Sequence, residues 1–244
     1  MISLSLLASS AAAGTSALSL RWARTPKFPG PRVVAAGRIP QLPGDGVKLT
    51  RANEAIRRVV LADETAFLHF VEWLHPSPKA PLGSYQPEPD VRLISASTVV
   101  VSALIPTWKA PPGDGEIEWL AFTVDVARGD RVQLRNLFSN ASRGLTALAA
   151  AARRRLLLEN ACVRDSGRDN PVPPDEFSRG FRPTVQHYRY FALLPRGVEI
   201  GFPVGDVAYP TCGRVRVSVP YRVLRPYLSR DGRKLVAGVR PPIR

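Results

Sequence analysis

Five lysines, three histidines and two cysteines are all that the 244 residues hold of those types. Neither Cys162 nor Cys212 belongs to a C-x-x-C pair, which leaves zinc-ribbon and thioredoxin readings without support. His69 and His75 fall within and at the end of one predicted helix and His187 just before a strand, and no H-E-x-x-H, G-x-S-x-G or P-loop occurs, so hydrolase and nucleotide-binding readings lack a positive signal. Glu116 and Glu118 could pair on one face of a strand, but an exposed, solvated pair is the simpler meaning. Beyond the first twenty residues, no run reaches the roughly 20 apolar residues of a membrane-spanning helix. Zinc fingers, RNP-like strands and an evident helix-turn-helix are absent as well. The expectation is a non-enzymatic protein that uses no cofactor and no metal.

What the chain has in abundance is arginine. It supplies nearly all of a formal charge of +14, while apolar residues make up 45% and charged residues 22%, both ordinary for a globular protein. A chain of this length buries one good core or at most two small ones. The charge favours anionic partners such as acidic wall polymers, anionic lipid or nucleic acid. The arginines are spread along the chain, as they would also be if arginine stood wherever a solvated cation is tolerated.

Residues 1–20 contain no charged side chain. An apolar run around Leu4 to Ala8, followed by Ser10, Ala11, Ala12 and Ala13, resembles the core and cleavage site of a secretory signal, although a basic leader is missing. Residues 21–46 are basic and broken by Pro26, Pro29, Pro31, Pro40 and Pro43, which reads as a linker with an edge strand near Val33 to Ala36.

A helix is predicted from an N-cap near Thr50 up to Pro76, with Ile56, Val59, Val60, Phe67, Phe70, Val71 and Leu74 on one face. Val91 to Ile105 reads as one bent strand, and the segment after the Pro/Gly turn as its antiparallel partner. A second helix is predicted from Ser139–Ser142, with Leu145, Leu148, Ala149, Ala152 and Leu156 inward. Arg164 to Pro183 reads as a long loop. The last third is expected to be strand. Pro195-Arg196-Gly197 would turn a hairpin, and Val215, Val217 and Val219 would alternate with Arg214, Arg216 and Ser218. Residues 230–244 are read as a trailing basic tail.

Two segments, Phe122 to Phe138 (FTVDVARGDRVQLRNLF) and Gly201 to Tyr221 (GFPVGDVAYPTCGRVRVSVPY), resemble the C-terminal domain of RsiV-type proteins. Arg222 to Leu228 (RVLRPYL) and Asn53, early in the first helix, extend the resemblance over roughly Val47 to Leu228. A related domain occurs in secreted immunogenic proteins of mycobacteria. The resemblance implies an α+β fold, an antiparallel β-sheet with packed helices, as a single main domain at 47–229. RsiV itself is an anti-sigma factor whose domain receives lysozyme. Neither a sigma-binding segment nor a membrane span accompanies the resemblance here, and Pro106 to Pro112 replace the His-containing turn of many relatives.

The sequence therefore points to a secreted, actinobacterial-type envelope protein, extracellular or envelope-associated, that binds a protein or an anionic cell-wall ligand. An intracellular basic nucleic-acid-binding protein is the alternative. In an exported protein Cys162 and Cys212 form one disulfide, worth about 3–4 kcal/mol by chain entropy; in a cytosolic one they would be buried thiols. Trp108 and Lys109, expected in a Pro-rich turn, and Arg214 and Arg216, expected on the outer face of a strand, are the candidate partner surface. Arg153 and Arg154 could join the latter pair in one basic patch.

Overall fold

Helix α1 (Val47–Leu74) buries Ala52, Ala55, Ile56, Val59, Val60, Phe67, Leu68 and Val71, spacings that draw one apolar stripe down its length. The computed structural model describes residues 16–25, 33–77, 83–111, 115–166 and 179–243. Phe70 and Leu74, expected on the inward face, lie exposed beside Trp73 at the end of the helix.

The stripe of α1 packs on a mixed sheet made of β2 (Val33–Ala35), β4 (Gly83–Pro87), β6 (Val100–Ala110), β7 (Glu116–Asp125) and β8 (Asp130–Arg131), in that order, with β5 (Ile94–Ala96) also paired to β6. The pairing of β2 with β4 is parallel and the others are antiparallel. Period-two alternation assigns the two faces. Val101, Ala103, Ile105, Leu120, Phe122 and Val124 meet α1. Ser102, Leu104, Trp119, Ala121 and Thr123 turn to the opposite side.

That opposite side receives a second sheet, β11 (Val215–Val219), β10 (Gly197–Phe202) and β9 (Phe191–Leu194) in that order, all antiparallel. Ala192 and Leu194 pack on Leu104, Trp119 and Ala121. At the seam, Ser102 Oγ accepts from Leu193 N at 2.8 Å, and Ser95 Oγ donates to Leu193 O at 2.6 Å. The far face of the second sheet is covered by α2 (Ala141–Glu159), whose Leu145, Leu148, Ala152 and Leu156 share a core with Val198, Ile200, Val217 and Val219. The result is a single α+β domain, as expected, built in four layers.

Other parts differ from the expectation. The stretch read as one bent strand is a 3₁₀ turn at Val91–Leu93, then β5, then β6, with β5 folding back as a hairpin on β6. Strand β6 runs on through Pro106 to Ala110, so the presumed turn is strand. Proline is tolerated there because Pro106 faces the β4 side, where β4 has ended and Glu88 N donates to its carbonyl; no β6–β7 bond is lost.

The presumed linker holds β1 (Arg21–Arg24), paired with β3 (Arg38–Gln41), together with the expected edge strand β2. Asn53 clamps the segment to α1: its Oδ1 accepts from Leu42 N and its amide donates to Leu42 O. Within the stretch read as a signal, residues 16–20 carry backbone bonds to the fold, from Leu18 N to Ala96 O and from Ile243 N to Leu18 O; residues 1–15 lie outside the described residues. Most of the long loop, 167–178, lies outside them too.

The basic tail folds instead of trailing. After the short helix α3 (Ala161–Asp165), the chain ends in α4 (Tyr221–Leu224) and α5 (Arg230–Ala237). Ser229 caps α5 by accepting from Gly232 N at 2.9 Å, and Leu235 and Val239 are buried in the α2 core.

Candidate functional site

Lys109, expected at the surface, is an internal residue only 8% exposed. Its ammonium donates to Asp63 Oδ1 at 3.0 Å and to Glu118 Oε2 at 2.7 Å, and lies 5.9 Å from the centre of the Tyr85 ring. Tyr85 OH donates to Asp63 Oδ2 at 2.8 Å, closing the network. Burial opposes the charged ammonium, but Asp63 and Glu118 outweigh it and hold its pKa above the ordinary value. Glu118 is therefore a structural ion-pair partner. Glu116, beside it and mostly solvent-accessible, has its carboxyl pushed up by partial desolvation and then by the neighbouring Glu118 charge. Trp108 is half-buried in β6, opposite Ile117.

One residue from Asp63 stands a group that the sequence reading missed. Glu64 is 0% exposed, and neither carboxylate oxygen has a hydrogen-bond partner among the described residues. Burial, with the nearby Asp63 charge, raises its pKa to about 7. Its position was a legible signal, since a carboxylate falls between Val60 and Phe67 on an otherwise apolar stripe.

Arg216 is exposed on the side of β11 turned away from α2, while Arg214, one residue before the strand, is half-buried; each has a partner nearby. The Arg214 guanidinium lies 5.0 Å from the centre of the Trp119 ring, and burial lowers its pKa. Arg216 donates to Glu199 Oε1 at 2.9 Å, with Glu199 nearly buried on β10. The Arg216–Glu199 pair opens on a cleft of about 720 Å³, which Arg214 does not line. Asp90 and Arg92, bound to each other through paired hydrogen bonds, and the hairpin tip Arg196 also line it. Arg92 holds the Asp90 carboxyl below the usual carboxylate range. The cleft thus mixes charges of both signs.

Arg153 and Arg154 do not join this group. Val215, Val217 and Val219 face α2, so Arg214 and Arg216 point from the opposite side of the sheet. The two α2 arginines belong to a different surface. Arg143, Arg153 and Arg154 are exposed on α2. Packed against that helix, the segment 221–243 exposes Arg222, Arg225, Arg230, Arg233 and Lys234. The acids on these elements are Glu159, paired with Arg155, and Asp231, paired with Arg128. Ser139 N and Oγ both donate to Tyr227 O, fastening the start of α2 to the C-terminal segment. Exposed arginines thus outnumber acids on these packed elements.

Cys162 in α3 and Cys212 before β11 form a disulfide with Cα atoms 5.8 Å apart. It ties the end of α2 to the start of β11. Such bonds persist in oxidising compartments, which points to a non-cytoplasmic location. Among the described residues no helix is long and apolar enough to cross a membrane, and no cluster of His, Cys, Asp and Glu could hold a metal ion. His187 lies 4.0 Å from Asp206, but neither it nor the Glu116/Glu118 pair lines the cleft.

The fold defines a class, an α+β domain with two sheets packed between helices. No family model matches the chain, and no curated protein does. Among solved structures, the chain is similar to a member of the DUF3298 family from Bacteroides fragilis. That likeness has a TM-score of 0.52 and 13% identity, covering 89% of this chain and 94% of the other. A DUF3298 family protein from Pseudomonas aeruginosa matches with a TM-score of 0.44 and 12% identity, over 90% of this chain and 95% of that one. The first likeness concerns the fold alone.

Proposed function

We propose that this chain is a secreted, non-enzymatic envelope protein that binds an anionic polymer of the cell wall through the arginine-rich face of α2 and the C-terminal segment. The observation that carries the reading is the gathering of Arg143, Arg153, Arg154, Arg222, Arg225, Arg230 and Arg233 on exposed sides of elements that pack together. Few acids offset them. Such a face attracts polyanions without a shaped pocket. The disulfide supports the exported address. The signal-like start supports it too, with cleavage near Ser10 to Ala13 leaving residues 16–20 in the mature fold. Kinship with RsiV-type domains belongs to the same proposal.

Co-sedimentation with purified anionic wall fragments tests it. Binding should fall steeply as salt rises, and the double variant Arg153→Glu/Arg154→Glu should weaken it by about tenfold or more at low salt. Affinity unmoved by salt or by that variant would sink the reading. Preference for duplex DNA over wall fragments at matched salt would favour the intracellular alternative.

A further inference from the structure

The second sheet has two edges, and the fold treats them differently. Gly201 N donates to Tyr190 O at 2.8 Å, so Gly197, Glu199 and Gly201 turn their backbone groups toward β9. The alternate residues Val198, Ile200 and Phe202 must then face β11, opposite Val219, Val217 and Val215. Leu193, on the outer side of β9, obeys this parity, and its N–H and C=O are met by Ser102 and Ser95. At Leu193 that edge is closed.

On β11 the same parity directs the N–H and C=O of Arg216 and Ser218 away from β10. No hydrogen bond reaches these groups from any described residue. An unpaired edge strand is usually covered, charged or shortened. Here it opens on the 720 Å³ cleft, in which Arg216, Val217 and Ser218 form one wall. Pro241 and Pro242 stand among the other walls and, lacking N–H groups, cannot pair with a strand. The volume lies within the range of ligand clefts, roughly 300–1,000 Å³.

We infer that an extended peptide segment of a partner protein adds as a strand to the open edge of β11. Alternating N–H and C=O groups along an edge are matched by another strand. Side chains of the added strand opposite Val217 point toward Leu156, which favours apolar residues. Those opposite Arg216 and Ser218 face the Arg216–Glu199 and Arg92–Asp90 ion pairs, which favours polar residues. The recognised chemistry is an extended segment alternating apolar and polar side chains. This site is separate from the arginine-rich face and does not depend on it.

The probe is an acetylated, amidated hexapeptide alternating threonine and valine, read by amide hydrogen exchange on the intact disulfide-bonded protein. In the dilute free protein, the Arg216 and Ser218 amides should exchange at least about tenfold faster than that of Val217. With the probe at about 5 mM, both should gain protection of about tenfold or more. N-methylation of one alternate set of probe amides should abolish the effect, while methylation of the other set leaves it intact. Ser218→Pro removes an outward N–H without costing a ladder bond and should also abolish it. Protection already present in the dilute free protein would overturn the inference. So would protection that grows with protein concentration alone, which would mark a second copy on the edge. Indifference to both N-methylated sets, or no protection at about 5 mM probe, would overturn it as well.

Discussion

Replacing Glu64 by glutamine should remove a pH dependence of stability that the wild type carries in its core. In the folded protein the Glu64 carboxyl has a pKa of about 7, against 4.5 for the ordinary group, because it is buried and then because Asp63 lies beside it. Between those two values the folded state holds a proton that the unfolded state has released. Stability therefore falls as pH rises through this window and levels off above about 7. The full cost of charging Glu64 in place is about 3 kcal/mol, of which about 2.5 kcal/mol is incurred between about pH 5 and pH 8.5. The groups around it are Asp63, Tyr85 and, through Asp63, Lys109 and Glu118; none is a cation bonded to Glu64. Glutamine keeps the shape and stays neutral, so its own burial adds a constant cost at every pH. Urea unfolding of both proteins across that range reads the change. The variant should gain about 2.5 kcal/mol relative to the wild type on going from pH 5 to pH 8.5. Parallel profiles, differing by less than about 0.5 kcal/mol across the range, would refute the placement of Glu64.

Lys109→Met should cost about 3 kcal/mol, because Asp63 and Glu118 stay half-buried without their cation; a melting point within about 2 °C of wild type would contradict the network. Gly201→Ala should cost about 1–3 kcal/mol and red-shift tryptophan emission, since a Cβ there would lie 2.7 Å from the Trp119 ring. An unshifted spectrum with unchanged stability would count against that packing. Reduction, or Cys162→Ser, should cost about 4 kcal/mol by releasing a 50-residue loop. Equal unfolding midpoints with and without reductant would show that the bond does not form.

Strong local periodicity made much of the fold legible in the sequence. The apolar stripe of α1, the alternating valines of β11 and the Pro195-Arg196-Gly197 hairpin all appear in the structure. Proline misled where its geometry happened to fit: Pro106 reads as a turn, yet it occupies the stretch of β6 that has lost its β4 neighbour. The C-terminal helix was illegible because a glycine and four charges surround a single buried apolar side chain, Leu235. Gly232 is needed there because its Cα approaches the backbone of Leu137 too closely for any side chain. The surface readings fared less well. Whether Lys109 is solvated depends on Asp63, 46 residues away, and whether Arg153 meets Arg214 depends on which face of the sheet α2 covers. Those are tertiary facts that spacing does not carry.

Intact-mass measurement of the native protein, taken separately from culture medium and cytosol, tests the central claim of an exported, disulfide-closed binding protein most directly. The account predicts a species in the medium that begins at or before Ser16, lacks the first ten or so residues, and is lighter by two hydrogens than its reduced form. A full-length chain with both thiols free, confined to the cytosol, would contradict it.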